Sequence, residues 1–424
     1  MDVEIGSSHT GHMMCATTPG EGSEFLRLVP SGEIYLKSRR TREKFMRALV
    51  SNVRDGLKGS KIDAVVRRSG YHELSIETVH FEGASRVASK TFGVNRVERV
   101  IPMAFDSLGQ LSKIVAEIFR EQVRDRRFAV RMKRRGSHGW TSRDAEVEIG
   151  NLLFAESSGV DLTNPEVTVR VYVNDAQALV VNESYSGPDG LPCGTQRRVL
   201  ALVSGGIDSP VAAWMLMRRG CSIDYLHLKI DCSVSDHALV VADTLDRQWG
   251  HGVKSRFHVV DFQPIKEQLR DRVAPRDRQV VLKQLMLAAG AEVARRSDIE
   301  LMVTGDSLGQ VSSQTAAHLA QIDSFVGFPT LRPLVGMTKE EIIIRSRSIG
   351  LYDLSIRARE VCDLSEGRPV ETAASAIRLD SAHRKLDDDT LDMALKSWES
   401  IDTREWAPGV SLVPAALDPR FADG

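Results

Sequence analysis

The pattern of apolar and polar positions changes character near residue 190. Before it, short segments of both periodicities follow one another. Residues 24–35 alternate well enough to predict a strand, and 40–58 place Phe45, Leu49, Val53 and Leu57 on one helical face. Segments 62–67 and 72–78 read as strands joined at Ser69-Gly70. Helical spacing returns at 106–123 and 143–155, and strands fit 127–133, 167–173 and 178–183. This predicts α+β units with small separate cores. Gly187-Pro188-Asp189-Gly190-Leu191-Pro192 reads as a linker. Beyond it, strands at 199–203, 223–228, 256–261 and 301–304 alternate with helices near 210–219, 236–248 and 277–296. That alternation predicts a doubly wound parallel sheet, with ligands at the carboxyl ends of its strands. The first 22 residues are small and polar and read as a disordered leader, while 390–401 has helical spacing.

The run Val199-Leu200-Ala201-Leu202-Val203 passes directly into Ser204-Gly205-Gly206-Ile207-Asp208-Ser209 and then a helix-forming segment from Pro210. A Gly-rich turn between a strand end and a helix N-terminus can aim consecutive backbone N–H groups at an anion. Gly205 and Gly206 permit close approach, and Ser204 and Ser209 add hydroxyl donors. Asp208 stands where a carboxylate could hold Mg²⁺ against phosphates. The Gly-Lys-Ser/Thr ending of a Walker A loop is absent.

Composition narrows the class. A chain of 424 residues suggests two to four domains, and 42% hydrophobic with 27% charged residues suits a soluble globular protein. No apolar run approaches the roughly 20 residues of a membrane span, so no membrane partner is expected. Five cysteines (Cys15, Cys193, Cys221, Cys232, Cys362) without a Cys-x-x-Cys pair speak for a reducing, cytoplasmic setting and against a zinc ribbon. The net charge of −1 hides an asymmetry: residues 119–135 carry a net +6, 37–44 a net +4 and 380–424 a net −5. The basic runs fit either a phosphate-backbone footprint or solvated faces.

A second polar loop, Thr304-Gly305-Asp306-Ser307-Leu308-Gly309-Gln310-Val311-Ser312-Ser313-Gln314-Thr315, again follows an apolar strand. Gly305 lets a ring approach, and Gln314 can hydrogen-bond an adenine edge. The 204–209 turn resembles the PP-loop, SGGxDS, of the N-type ATP pyrophosphatases, and the second loop would then form the other wall of an ATP pocket.

Several further segments extend the resemblance over about residues 25–375. They are Gly32-Glu33-Ile34-Tyr35-Leu36-Lys37, Lys133-Arg134-Arg135-Gly136-Ser137-His138, Val160-Asp161-Leu162-Thr163-Asn164-Pro165, Gly190-Leu191-Pro192-Cys193-Gly194-Thr195-Gln196, Arg218-Arg219-Gly220-Cys221 and Leu331-Arg332-Pro333-Leu334-Val335-Gly336-Met337. In this order they resemble the tRNA 4-thiouridine synthetase family, ThiI. The resemblance implies an α/β multidomain protein: leader 1–24, ferredoxin-like α+β domain 25–83, THUMP domain 84–186, linker 187–197, PP-loop domain 198–375 and helical tail 376–424. It implies ATP-dependent sulfur transfer to uridine 8 of tRNA, by adenylylation of O4 and attack of a persulfide or sulfide sulfur, as a tRNA uracil 4-sulfurtransferase.

Residue by residue, the resemblance places ATP on Leu202, Val203, Ser204, Gly205, Gly206, Asp208, Ser209, His227, Leu228, Lys283, Gly305 and Gln314. Asp208 would be catalytic, acting with Mg²⁺. It tips the basic runs toward RNA, with Lys37, Arg39, Arg40, Arg131, Lys133, Arg134 and Arg135 on the tRNA backbone. Cys362, in Glu360-Val361-Cys362-Asp363-Leu364-Ser365, matches the family's catalytic cysteine, and Cys232 is a candidate resolving partner. About fifty residues follow residue 375 and contain no cysteine, so the form without a rhodanese domain is expected. Sulfur would then come from a cysteine desulfurase or another donor, and an iron–sulfur cluster is not expected. Relatives form homodimers; the sequence carries no independent signal for one. Other readings compete: another PP-loop tRNA-modifying or small-molecule adenylylating enzyme, a tRNA-binding protein with a degenerate catalytic domain, and sulfur transfer to the carrier protein of thiamine thiazole synthesis.

Overall fold

The computed structural model describes residues 25–69, 73–230, 235–311, 314–357, 364, 375–406 and 413–414. The chain divides into two compact units, one of Met1–Arg27 with Glu98–Ser184, the other of Leu28–Val97 with Tyr185–Gly424.

In the first unit, strand Arg127–Arg135 runs parallel to Val167–Asn174, pairing Phe128 with Val167 and Arg135 with Asn174. Val167–Asn174 then pairs antiparallel with Gln177–Ser186 through a tight turn at Asp175, whose φ is +49°. Helices Leu108–Val123 and Ser142–Phe154 cover the sheet, burying Leu111, Val115, Phe119, Ile149 and Leu153 against Phe128, Val130, Val169 and Val171. A capping box at Thr141 and Asp144 starts the second helix. Glu98 is fully buried, yet it accepts from Arg27 at 2.7 Å and from the Tyr172 hydroxyl at 3.0 Å, so the carboxylate is satisfied.

In the second unit, the expected 24–35 strand stops at Pro30. Ser31 caps a single turn, Gly32–Tyr35, because its hydroxyl accepts the Glu33 N–H. Helix Arg39–Gly59, hairpin Val65–Ser69/Glu73–Glu77 and helix Phe81–Ala88 follow.

The large sheet is ordered 330–331, 302–303, 199–202, 223–229, 256–261, 399–402, 413–414. Its first five strands are parallel. Strand Val199–Leu202, the earliest in sequence, lies between Met302–Val303 and Ile223–Lys229, so the topology switches at its carboxyl end. Alternate residues serve two cores. Val199, Ala201 and Val203 pack with helices Asp208–Arg218 and Ser235–Trp249, while Leu200 packs on the opposite face with Gln263–Arg272 and Pro275–Arg296. Phe92, Trp214 and Trp249 form an aromatic cluster with centroids 5.4–5.5 Å apart.

The tail corrects the helix expected over 390–401. The helix ends at Leu395, and Glu399–Asp402 instead adds an antiparallel strand beside Arg256–Asp261, pairing Ile401 with Phe257. An edge strand's unpaired N–H and C=O groups favour this outcome. Trp398, predicted on the helix, is buried and donates to His258 Nδ1 at 3.2 Å.

Candidate active site

The turn 203–207 emerges at the switch point, where helices leave the sheet on both sides. Gly205 has φ +78°, the left-handed region open to glycine, and a Cβ there would meet the His237 ring at 2.9 Å. The Ser204 N–H donates to Ser209 Oγ at 3.2 Å, which tightens the turn. Ile207 caps helix Asp208–Arg218 without a side-chain acceptor, leaving first-turn N–H groups unclaimed by a cap. Uncapped N–H groups under a helix dipole suit an anion.

The second loop backs onto this cradle. A Cβ on Gly305 would stand 2.7 Å from Ser209 N and 2.8 Å from Asp208 C, so only glycine permits the approach. Both Asp208 oxygens are engaged: Oδ1 accepts from Lys339 Nζ at 2.7 Å and Oδ2 from Gln310 Nε2 at 3.0 Å. Each oxygen keeps a further lone pair, so the carboxylate retains capacity for one cation ligand alongside phosphates.

Lys283 reaches in from helix Pro275–Arg296 and donates to Asp306 Oδ1 at 2.7 Å. Asp306 also accepts from Thr304 Oγ1, Gln314 Nε2 and Arg332 Nε. Burial would raise the Asp306 carboxyl, but Lys283 and the other donors outweigh it and hold it below its ordinary value.

His227 is buried at the carboxyl end of its strand, and its Nδ1 lies 2.9 Å from the Val203 carbonyl. A carbonyl can only accept, so Nδ1 carries the proton and Nε2 is the acceptor, without a hydrogen-bond partner among the described residues. Burial lowers the His227 pKa, so the ring is neutral. Leu228 beside it is buried.

The structure thus gathers Val203, Ser204, Gly205, Asp208, Ser209, His227, Lys283, Gly305 and Gln314 around one sheet end. Leu202 ends its strand just below, with Gly206 inside the turn. Lys339, Gln310, Asp306 and Arg332 were missed as site residues. Lys339 carried no local signal, since it opens helix Lys339–Ile349 and meets Asp208 across 131 positions.

The expected tRNA contacts differ among themselves. Arg131 is tied to the Leu162 carbonyl. Arg134 donates to the Gly136 carbonyl at 3.2 Å and lies 5.7 Å from the Trp140 ring. Lys133 and Arg135 alternate with it and are exposed on the other face of the strand. In the other unit, Arg39 and Arg40 are exposed at the start of their helix and Lys37 is half-buried.

Cys193 and Cys221 are buried, and burial pushes both thiols up, which suits inert core cysteines. Cys15, Cys232 and Cys362 lie outside the described residues. No helix among the described residues is long and apolar enough to cross a membrane.

A doubly wound sheet with a Gly-rich anion cradle at its switch point, an acidic residue on the turn and a neighbouring lysine defines a nucleotide-binding PP-loop domain. Residues 194–387 match the family model of the thiamine biosynthesis protein ThiI, 105–182 a THUMP domain and 26–97 a ThiI ferredoxin-like domain. A tRNA sulfurtransferase of Desulfurococcus amylolyticus is 40% identical, over 89% of this chain and 78% of its own. One from Escherichia coli O139:H28 is 34% identical, over 90% of this chain and 80% of its own. The chain belongs to the ThiI tRNA sulfurtransferase family. The fold is similar to that of a 4-thiouridine synthetase crystallised with RNA and ATP, at a TM-score of 0.75 and 24% identity, covering 89% of this chain and 99% of that one. It also resembles PH1313 of Pyrococcus horikoshii, at a TM-score of 0.58 and 19% identity, covering 77% of this chain and 99% of that one.

Proposed function

We propose that this chain is an enzyme that thiolates tRNA at the expense of ATP, converting uridine 8 to 4-thiouridine. One observation carries the reading. Asp208 stands at an uncapped helix N-terminus on a Gly-rich turn, ion-paired to Lys339 and backed by Gly305. Its relatives' names supply the substrate class.

Uracil O4 is a poor leaving group. In the proposed first step it attacks the α-phosphorus of ATP, and the bond to pyrophosphate breaks. The turn from Ser204 to Ser209 would hold the departing charge through backbone N–H groups. Lys283 would balance phosphate charge, and His227 and Leu228 would line the nucleotide. Asp208 would hold Mg²⁺, which neutralises the phosphates when bound.

A sulfur nucleophile then attacks C4, and AMP leaves with O4. Sulfide completes this step unaided. A persulfide on Cys362 needs a second thiol to break its S–S bond, for which Cys232 is the candidate, and a thiol reductant to reset the pair. A cysteine desulfurase is the proposed donor, and a cytoplasmic homodimer the proposed form.

The test is 4-thiouridine formation on unmodified tRNA with ATP, Mg²⁺ and sulfide. Wild type should form it and Asp208→Ala should not. Cys362→Ala should work with sulfide and fail with a desulfurase. A wild type that thiolates no tRNA under any sulfur supply overturns the proposal.

A further inference from the structure

Asp306 has no part in the steps above, yet it is only 8% exposed and organises the loop after Met302–Val303. Its Oδ1 accepts from Lys283 Nζ at 2.7 Å and from Gln314 Nε2 at 3.2 Å. Its Oδ2 accepts from Thr304 Oγ1 at 2.8 Å and Arg332 Nε at 3.4 Å. Arg332 is itself forked onto Asp323, at 2.6 and 3.0 Å.

This arrangement fixes a carboxamide. An ionised carboxylate only accepts, so the Gln314 nitrogen must face Asp306 and its carbonyl must face away. Gln314 Oε1 is buried and has no hydrogen-bond partner among the described residues. Leaving such an acceptor unmet is costly, and a bound reactant can relieve the cost only by offering a donor. The same loop touches the cradle through Gly305 and through the Gln310 bond to Asp208. Phosphate oxygens are acceptors and cannot answer Gln314. The reactants that reach this site do carry nucleobase N–H groups: the 6-amino group of adenine, and N3–H of the uracil whose O4 is activated.

We propose that Asp306 is a positioning residue. By holding the amide nitrogen of Gln314, with Arg332 braced behind it, Asp306 commits Gln314 Oε1 to a nucleobase N–H and makes the site reject a base that presents an acceptor there. The proposal rests on the reading of this loop as part of the ATP and uridine site.

Two preferences test it. The first is ATP against inosine triphosphate, which carries an oxygen in place of the 6-amino group, read as binding by calorimetry without tRNA. The second is filter binding of tRNA bearing uridine or cytidine at the target, since cytidine N3 is an acceptor; binding is read because cytidine has no O4 to adenylylate. Asp306→Ala frees the amide, whereas Gln314→Met removes the acceptor and leaves Asp306 its other donors, so the second variant reports even where the first does not fold. Both variants should lower one same preference about fivefold to tenfold, the size of one neutral hydrogen bond, and leave the other unchanged. The preference that falls names the base. Two folded variants that keep both preferences within about twofold overturn the positioning role alone. A wild type that binds no ATP overturns the underlying site.

Discussion

Lys339 Nζ donates to Asp208 Oδ1 at 2.7 Å, joining the first residue of helix Lys339–Ile349 to the acidic residue of the phosphate turn. The pair is partly open, with the lysine side chain 39% and the carboxylate 24% exposed. An ion pair of that exposure contributes at most about 1 kcal/mol to stability. On the proposed mechanism it stands beside developing pyrophosphate charge and matters more for chemistry than for stability. Lys339→Ala should therefore melt within a few degrees of wild type while ATP–pyrophosphate exchange in the presence of tRNA falls by about a hundredfold. Exchange at the wild-type rate would remove Lys339 from the site.

Gly305→Ala tests the close approach of the two loops. The new Cβ would meet the backbone of Asp208 and Ser209 at 2.7–2.9 Å, where no flexible side chain can yield. The strain should cost about 1–3 kcal/mol and displace the cradle. We expect a lower unfolding midpoint in urea and weaker ATP binding by calorimetry. Unchanged binding would show that the loops separate without consequence.

Acid stability should reflect opposing buried groups. Burial pushes His251 down to about 4 and His258 down to about 3, against about 6.5 in the unfolded chain. The unfolded chain therefore binds protons that the native state refuses. The stability involved is present above about pH 6.5 and lost as pH falls through the folded values. Asp246 acts in reverse. Burial lifts it to about 6 despite hydrogen bonds from Ser255 and Thr403. The native state then holds a proton that the unfolded chain releases, so this contribution is present below about pH 4 and lost as pH rises through 6. Each group is worth at most roughly 3–5 kcal/mol. His251→Gln should flatten the fall in urea midpoint between pH 6.5 and 4. Asp246→Asn should raise the midpoint more at pH 7.5 than at pH 4. Equal shifts at both pH values would contradict the assignment.

Lys133 and Arg135 are exposed on one face of strand Arg127–Arg135, while Arg131 and Arg134 are tied to neighbouring carbonyls. If the exposed pair meets phosphate, each change to alanine should weaken tRNA binding and reduce the slope of log affinity against log salt by about 0.7–0.9. Filter binding across a salt series measures this. A slope equal to that of wild type would assign the pair to solvent.

Much of the catalytic half was legible because its signals are local. An apolar run ending in Ser-Gly-Gly-Ile-Asp-Ser fixes a strand, a turn and a helix within about twenty residues, and alternation of such units implies a parallel sheet. Elements set by capping or by sheet edges were not legible. Ser31 stops a strand by capping a single turn, and Trp398 sits before strand Glu399–Asp402 because strand Arg256–Asp261 offered unpaired backbone groups there. Helices Gln263–Arg272, Ala316–Val326 and Lys339–Ile349 are likewise not legible in the sequence, the last two lacking a marked apolar stripe.

The sequence by itself determined the Gly-rich turn, the glycine at 205 that its backbone conformation demands and the placing of Asp208 and Gln314 after two strand ends. Those properties depend on neighbours along the chain and on the limited freedom of φ and ψ. Only the tertiary structure decided what the side chains meet. Lys339 reaches Asp208 across 131 positions, and Lys283, Gln314 and Arg332 converge on Asp306 from separate elements. Such pairs arise when helices and loops dock on a common sheet, where burial makes each charge and each amide find its partner.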